Sequence, residues 1–91
     1  MASLDYEDEV RRLWQDFVEE EATAQRSVVA HAWEQHGECV LVHGSMRTFR
    51  DGGFVDVQPS WVYFFRDGRL ELVSSFSSRD AALAAISAHG A

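Results

Sequence analysis

The stretch that decides the fold is Trp61–Phe76, WVYFFRDGRLELVSSF, which is followed directly by SSRDAALAAI. Two apolar runs flank Asp67-Gly68, a dipeptide that favours the two-residue turn of a β-hairpin because Asp and Gly tolerate positive φ. The segment Ser77–Asp80 has the S-x-x-D spacing of a helix cap, and alanine, leucine and isoleucine follow it. The stretch therefore predicts a hairpin and then a short helix over 79–88, which Gly90 ends.

Working outward from the hairpin, the sequence predicts one more helix and two more strands. The apolar residues of the helix recur at the spacing of an amphipathic stripe over 5–21, namely Val10, Leu13, Trp14, Phe17 and Val18. Four strands are predicted over 27–35, 38–50, 54–66 and 69–76. Turn residues separate them, namely His36-Gly37, Asp51-Gly52-Gly53 and Asp67-Gly68. The pattern is that of an α+β protein with a four-stranded antiparallel sheet between two helices.

Composition limits the classes of protein that the sequence can represent. The 91 residues suit a single domain, over 1–91, and 46% of them are apolar. The net charge of −7 argues against nucleic-acid binding, which needs a basic surface. No apolar run approaches the length of a membrane span, and the acidic N-terminus does not resemble a signal peptide. With one cysteine, Cys39, the chain fits a reducing compartment, so we expect a cytoplasmic protein without a membrane partner.

The turns also predict which residues share a face of the sheet. We assume that Arg66 opposes Arg69, that Arg50 opposes Phe54 and that Gln35 opposes Cys39. Face A then carries Val29, His31, Trp33, Cys39, Leu41, His43, Ser45, Arg47, Pro59, Trp61, Tyr63, Phe65, Leu70, Leu72, Ser74 and Phe76. Face B carries Ala30, Ala32, Val40, Val42, Met46, Gln58, Val62, Phe64 and Val73. The N-terminal helix can cover face A, and the C-terminal helix can close one end. We therefore expect a second copy of the chain to cover face B in a homodimer built through the sheet.

The order of these elements resembles that of SnoaL-like proteins in the nuclear transport factor 2-like superfamily. The resemblance rests on Glu9–Trp14 in the first helix, His36–Val42, the hairpin Phe65–Leu70 and the helix segment Arg79–Ala85. It implies a curved sheet that forms part of a cone, with a ligand pocket on the concave face, and it commonly implies dimers. Family members usually begin with two further helices and a strand that close the cone. This sequence matches only the later elements, so the catalytic base and oxyanion donor of related ketosteroid isomerases have no position here.

Candidate site residues follow from face A. His31, His43 and Trp61 are predicted to lie in a row across three strands, where two imidazoles can serve as general acid and base. The alternative is that both histidines are hydrogen-bonded structural residues. No third ligand stands beside them, and their spacing matches no zinc signature, so no metal and no cofactor is expected.

The predicted ligand-binding residues are mainly aromatic. Trp14, Trp33, Leu41, Trp61 and Tyr63 can line a cavity, and they can equally form the core under the first helix. Arg47 can hold a ligand carboxylate at the mouth of the cavity, or it can be a surface arginine near a turn. Cys39 is predicted to serve packing rather than catalysis.

Two functional hypotheses remain from the sequence. The first is a non-catalytic protein that binds a hydrophobic small molecule or acts as a dimeric interaction module, with a SnoaL-like apolar pocket. The second is a small isomerase, cyclase or hydratase that acts on a hydrophobic ring-containing substrate with His31 and His43 as acid and base. The first needs only an apolar face, whereas the second needs both histidines beside one accessible cavity.

Overall fold

The predicted order of elements is confirmed in a computed structural model, which describes residues 6–89. Helix α1 (Glu7–Thr23) precedes the strands and helix α2 (Arg79–His89) follows them. The strands are β1 (Arg26–His36), β2 (Cys39–Arg50), β3 (Gly53–Val57), β4 (Ser60–Arg66) and β5 (Arg69–Phe76). The protein is thus an α+β protein with an antiparallel sheet between an N-terminal and a C-terminal helix. The predicted helix start at residue 5 and the terminating Gly90 lie outside the described residues.

The helices begin where the local sequence favours them. Glu7, Asp8 and Glu9 occupy the first turn of α1, where acidic side chains interact favourably with the helix dipole. The hydroxyl of Ser78 accepts a hydrogen bond from the backbone N–H of Ala81 at 3.1 Å. Ser78 therefore caps α2, whereas the S-x-x-D spacing pointed to Ser77, one residue earlier.

The sheet has five strands rather than four because a proline interrupts the predicted strand over 54–66. The strand order is β1-β2-β4-β5, and β3 pairs with the far half of β2. Pro59 has no backbone N–H to give to the ladder, so regular pairing stops at Gln58-Pro59. Its carbonyl still accepts a hydrogen bond from the N–H of Gly44 at 3.2 Å, which keeps β3 and β4 along the same edge of β2.

The predicted register of β2 is wrong by one residue at both of its turns. Arg50 opposes Gly53 rather than Phe54, because Asp51 and Gly52 alone form the turn with φ of 48° and 76°. At the other turn His36, rather than Gln35, opposes Cys39. A one-residue slip moves every side chain of a strand to the opposite face. As a result Val40 and Val42, rather than Leu41 and His43, share a face with Trp61.

Two β-bulges change the register again within the strands. Between Ala30 and Ala32 the pairing of β1 with β2 shifts by one residue at His31. Between Phe64 and Phe65 the pairing of β4 with β5 also shifts, and Glu71 is the extra residue. The Asp67-Gly68 turn itself forms as predicted, with Arg66 opposite Arg69. Beyond the bulge, however, Trp61 opposes Ser75 instead of the predicted Ser74.

The first core lies between α1 and one side of the sheet, which we call the α1 face. Its buried residues are Tyr6, Val10, Trp14, Val28, Val40, Val42, Trp61, Tyr63 and Phe65. The ring of Tyr6 stacks on that of Phe65, with centroids 4.2 Å apart, at the end of the face near the β1–β2 turn. The apolar stripe predicted from Val10 to Val18 therefore packs on the sheet. It covers Val40 and Val42 of β2 rather than the predicted Leu41 and His43.

The second core lies under α2, on the side of the sheet that we call the α2 face. It contains Cys39, Leu41, Val62, Phe64 and Ala82, with Phe76, Leu83, Ala85 and Ile86 packed around them. The residues that were predicted to await a partner chain are therefore already covered in part. Val40 and Val42 lie under α1, and Val62 and Phe64 lie under α2.

Polar contacts hold both ends of α2 on the sheet. Near its start, Arg79 donates two hydrogen bonds to the carboxylate of Glu34 on β1, at 2.9 and 2.5 Å. Near its end, the His89 ring lies 5.0 Å from the Phe64 ring and 3.9 Å from the Glu71 carboxylate. His89 is thus a half-buried contact residue.

Candidate functional site

The structure divides the predicted site residues between the two faces of the sheet. Trp33, Trp61 and Tyr63 lie on the α1 face with Trp14 of α1. The remaining predicted residues belong to the α2 face. Leu41, His43 and Arg47 follow its alternation along β2, and His31 contacts Ser45 of the same alternation. The predicted row of His31, His43 and Trp61 is therefore wrong. The cause is the one-residue difference in the register of β2, which turns His43 away from Trp61.

The tryptophans of the α1 face form an interlocked cluster around Trp14. The Trp14 ring lies 4.9 Å from the Trp61 ring and 5.8 Å from the Trp33 ring, both nearly edge-on. The Phe17 ring lies 5.2 Å from Trp14 and 5.8 Å from Trp61. Trp14 and Trp61 are each only 6% exposed. Between α1 and the sheet these rings fill the space themselves, so here the core alternative describes them better than an enclosed cavity does.

Tyr63 is buried in the same core. Removal from water raises the pKa of its phenol to about 12, because burial penalises the charged form. The phenol therefore stays protonated at neutral pH and takes no part in proton exchange there.

His43 and Ser60 form a hydrogen-bonded pair on the α2 face. The His43 Nδ1 atom lies 2.9 Å from Ser60 Oγ, and the two residues oppose each other across β2 and β4. Ser60 has no exposed surface, so a substrate cannot reach its hydroxyl. The pair satisfies a buried hydroxyl beside the strand break at Pro59, which is a structural role.

His31 makes a similar contact further along the same strands. Its Nε2 atom lies 2.6 Å from Ser45 Oγ, and the side chain is exposed at the bulge in β1. His43 opposes Ala32 rather than His31. Each imidazole thus pairs with its own serine rather than with the other histidine.

Arg47 already holds a carboxylate of the protein. It donates hydrogen bonds from Nε and Nη2 to the two carboxylate oxygens of Asp56, at 2.7 and 2.9 Å. Its guanidinium also lies over the Phe54 ring, 3.9 Å from the centroid. The pKa of Asp56 is lowered by the hydrogen bond from Arg47. Arg47, which was predicted to bind a ligand carboxylate, is therefore already paired with Asp56 of β3.

Cys39 and Leu41 serve packing on the α2 face. Both lie in the core under α2, and burial raises the pKa of the Cys39 thiol, with the nearby charge of Glu38 adding to the effect. A thiol in such surroundings is a poor nucleophile. Within residues 6–89 no three histidine, cysteine or carboxylate side chains are grouped as a metal site. No helix of this part of the chain is both long and apolar enough to cross a membrane.

An open trough lies on the α1 face beyond the C-terminal part of α1, and we call it the Trp61 trough. Its volume is about 570 Å³, which is within the range of small-molecule sites. The trough is lined by Phe17, Glu21, Arg26, Met46, Thr48, Arg50, Pro59, Trp61, Val73, Ser74 and Ser75. Of the predicted ligand-binding residues, Trp61 is the one that lines it. Met46, Thr48 and Arg50 of the trough were missed because the predicted register of β2 put them on the opposite face of the sheet from Trp61.

The trough combines an apolar floor with a polar rim. Phe17, Met46 and Trp61 are partly or fully buried at the floor, whereas Arg50 and Val73 are exposed. One carboxylate of the rim is already paired, because Arg26 donates from Nε to Glu21 at 2.5 Å. An apolar surface with a few polar groups at its edge is the usual composition of a ligand pocket.

A second concavity lies on the part of the α2 face that α2 does not cover. We call this region the open half of the α2 face, and its main side chains are Val29, Ser45, Arg47, Phe49, Phe54 and Asp56. It includes a cavity of about 390 Å³. Val29, Phe49 and Phe54 are 50%, 47% and 56% exposed, which is unusual for such large apolar side chains in neighbouring positions.

Comparison with known proteins identifies the fold. No family model matches the sequence, and no curated protein matches it significantly. A protein assigned as a SnoaL-like polyketide cyclase from Jannaschia sp. CCS1 is similar in structure, with a TM-score of 0.51 and 25% identity. That match covers 69% of this chain and 50% of the other. TerC, co-crystallised with polyporic acid, has a TM-score of 0.51 and 16% identity, covering 81% of this chain and 59% of its own.

The chain has the SnoaL-like fold of the nuclear transport factor 2-like superfamily, as its sequence motifs predicted. It spans about half to three fifths of the length of these two structures.

Proposed function

We propose that the protein is a non-catalytic small-molecule-binding protein that holds a hydrophobic ring-containing ligand in the Trp61 trough. The observation that carries this proposal is the trough itself, an open cavity of about 570 Å³ with aromatic side chains at its floor. Phe17 and Trp61 are fixed there by the interlocked core, so a flat ligand meets a preformed surface. The likeness to a SnoaL-like polyketide cyclase supports a ligand with rings.

The ionisable groups of the trough support binding rather than catalysis. Its lining contains Glu21, Arg26 and Arg50, and Glu21 is engaged by Arg26. A general acid or base needs a group that exchanges protons near neutral pH, and arginine does not. The alternative, a small isomerase, cyclase or hydratase, requires His31 and His43 beside the ring. Both histidines pair with serines on the α2 side of the sheet, away from the trough.

Binding of a neutral ring compound tests this proposal. We expect 2-naphthamide to shift the NMR signals of trough residues such as Phe17, Met46 and the Trp61 indole. Val73 and Leu72 are adjacent, exposed residues of β5 that point to opposite faces, and only Val73 lines the trough. Val73→Glu should weaken binding about tenfold or more, because it puts a charge against the ring. The matched control Leu72→Glu should leave the affinity unchanged.

Two results would contradict the proposal. One is that 2-naphthamide moves no trough signal up to its solubility limit. The other is that both variants bind as the wild type does, which would place the ligand elsewhere. Turnover of a ring-containing substrate that is lost in His43→Ala would support the enzyme hypothesis instead.

We also propose that a second copy of the chain covers the open half of the α2 face. Val29, Phe49 and Phe54 are about half exposed in one chain. Arg47 and Asp56 of the same patch neutralise each other within one chain, so a second copy meets a mainly apolar surface without an unpaired charge at these two residues. The chain is elongated, at 52 × 25 × 19 Å. Its radius of gyration of 14.0 Å exceeds the roughly 12 Å expected of a compact chain of this length.

Sedimentation velocity tests the dimer. We expect the wild type to be a dimer at high micromolar concentration and Phe54→Glu to be a monomer, because the substitution puts a charge into the apolar contact. Val55→Glu is the matched control, since Val55 is similarly exposed at 52% but opposes Thr48 on the α1 face. A wild type that sediments as a monomer, or a Val55→Glu variant that dissociates equally, would contradict this interface.

We propose the cytoplasm as the location of the protein. Cys39 is the one cysteine of the sequence and is buried as a free thiol, with no second cysteine available for a disulfide within the chain. Retention of a fluorescently labelled chain in the soluble cytoplasmic fraction is the expected result. Recovery in a secreted fraction would contradict it.

A further inference from the structure

Arg50 differs from Arg26 and Arg47, the other arginines of β1 and β2. Arg26 is paired with Glu21, and Arg47 is paired with Asp56. Arg50 lines the trough, yet within residues 6–89 it makes no ion pair and no side-chain hydrogen bond. Its guanidinium therefore offers its donors to a molecule in the trough.

The backbone at the end of β2 fixes where Arg50 points. The two-residue turn Asp51-Gly52 places Arg50 directly opposite Gly53. Arg50 lies on the same face of β2 as Thr48 and Met46, which line the same trough. With the predicted three-residue turn, Arg50 would oppose Phe54, and Trp61 would lie on the opposite face of the sheet from Arg50. The same one-residue difference that removed His43 from the predicted site brings Arg50 into the observed one.

The trough is locally positive although the chain is acidic. Its lining contains two arginines and one glutamate, which gives one net positive charge. The whole chain carries a net charge of −7. A free guanidinium at the rim of an apolar surface is the arrangement that selects an anionic group attached to a hydrophobic body.

We infer that the ligand of the Trp61 trough is a ring-containing organic anion whose acidic oxygens pair with Arg50. This inference rests on the proposed small-molecule function and adds the charge of the ligand to it. The ring lies against Phe17 and Trp61 at the floor, and the anionic oxygens meet the guanidinium at the exposed rim. The hydroxyls of Thr48 and Ser75, which follow the α1-face alternation of their strands, offer further hydrogen bonds to oxygen atoms of the same ligand.

A matched pair of probes tests the inference. 2-Naphthoate and 2-naphthamide have the same ring, and only the first is an anion at neutral pH. We expect the wild type to bind naphthoate about three- to fivefold more tightly than naphthamide, because an ion pair at an exposed rim contributes modestly to affinity. Arg50→Gln should lose this preference while its affinity for naphthamide stays within about twofold. Arg50→Lys should keep part of the preference, since it keeps the charge but not the two-pronged geometry.

Arg12→Gln is the control for a general change of charge. Arg12 is exposed on α1 and does not line the trough, so this variant should bind both probes as the wild type does. Equal binding of the two probes by the wild type would overturn the inference and leave the proposed function standing. Equal loss of naphthoate in the Arg12 and Arg50 variants would also overturn it. Failure of both probes to bind would overturn the proposed function itself.

Discussion

The two faces of the sheet are covered in different ways. On the α1 face, a helix of 17 residues packs aromatic rings into the sheet, with Trp14 in contact with two other tryptophans. On the α2 face, a helix of 11 residues contributes one fully buried residue, Ala82. The first helix is held mainly by apolar contact, and the second also by polar contacts at its two ends.

This difference explains where free surface remains. The rings on the α1 face fill the space under the helix, and the Trp61 trough lies beyond its C-terminal part. On the α2 face, the small helix covers Leu41 and Phe64 and leaves Phe49 and Phe54 exposed. The face with the large aromatic residues thus carries the Trp61 trough, and the face with the small helix carries the surface proposed for the dimer.

The largest expected effect comes from removing the centre of the aromatic cluster. Trp14→Ala should lower the free energy of unfolding by about 3–5 kcal/mol, because it deletes a buried ring and leaves a cavity. Chemical denaturation followed by circular dichroism measures the change. Gln15→Ala, on the exposed side of α1, is the control and should change stability little. An unchanged midpoint for Trp14→Ala would mean that the α1 face does not depend on this ring.

A smaller effect is expected where two strands approach each other at the β1 bulge. A Cβ atom at Gly44 would overlap the backbone carbonyl oxygen of Val29, which cannot move away as a flexible side chain can. Gly44→Ala should therefore cost about 1–3 kcal/mol. Gly53→Ala is the matched control, because its Cβ would meet only the Arg50 carbonyl oxygen at 3.9 Å. Equal stability of the two variants in urea unfolding would contradict the bulged register.

A third experiment weakens only the attachment of α2. Ser78→Ala removes the hydroxyl that caps the helix and should cost about 1 kcal/mol. The loss should appear as faster amide hydrogen exchange in α2, with exchange in α1 unchanged. Ser77→Ala, one residue earlier, is the control and should leave exchange in α2 as it is. Equal protection of α2 in all three proteins would mean that the cap does not hold this helix.

The smallest expected effect concerns the ion pair between α2 and β1. The hydrogen bonds from Arg79 lower the pKa of Glu34 below its ordinary value of 4.5. A carboxyl with a lowered pKa in the folded protein stabilises it above the unfolded pKa, and this contribution is lost as the pH falls through the folded value. The pair is partly exposed, so the contribution is small.

Glu34→Gln should therefore melt slightly below the wild type at neutral pH, and the difference should shrink as the pH falls below about 4.5 and vanish below the lowered pKa of the folded protein. Thermal melting of both proteins across this range measures the effect. Glu19→Gln, on the exposed side of α1, controls for the loss of one carboxylate. A difference that persisted at low pH would mean that the charge of Glu34 does not hold α2.

Much of the candidate site could not be predicted, although most of the fold could. The residues of α1 that pack on the sheet were predicted from their spacing, and Trp61 was predicted to belong to a ligand-binding surface. His43 and Arg47 were placed on the same side as Trp61, but they face away from it. Arg50 was missed, because its place in the trough depends on a turn of two residues rather than three.

The sequence by itself determined the order of helices and strands, the Asp67-Gly68 turn, a serine cap at the start of α2 and the apolar stripe of α1. These features depend on residues within a few positions of one another, so local chemistry is enough to predict them. Only the tertiary structure decided which residues share a face. That outcome depends on how many residues each turn uses and where each bulge falls, and a difference of one residue exchanges the two faces of a strand.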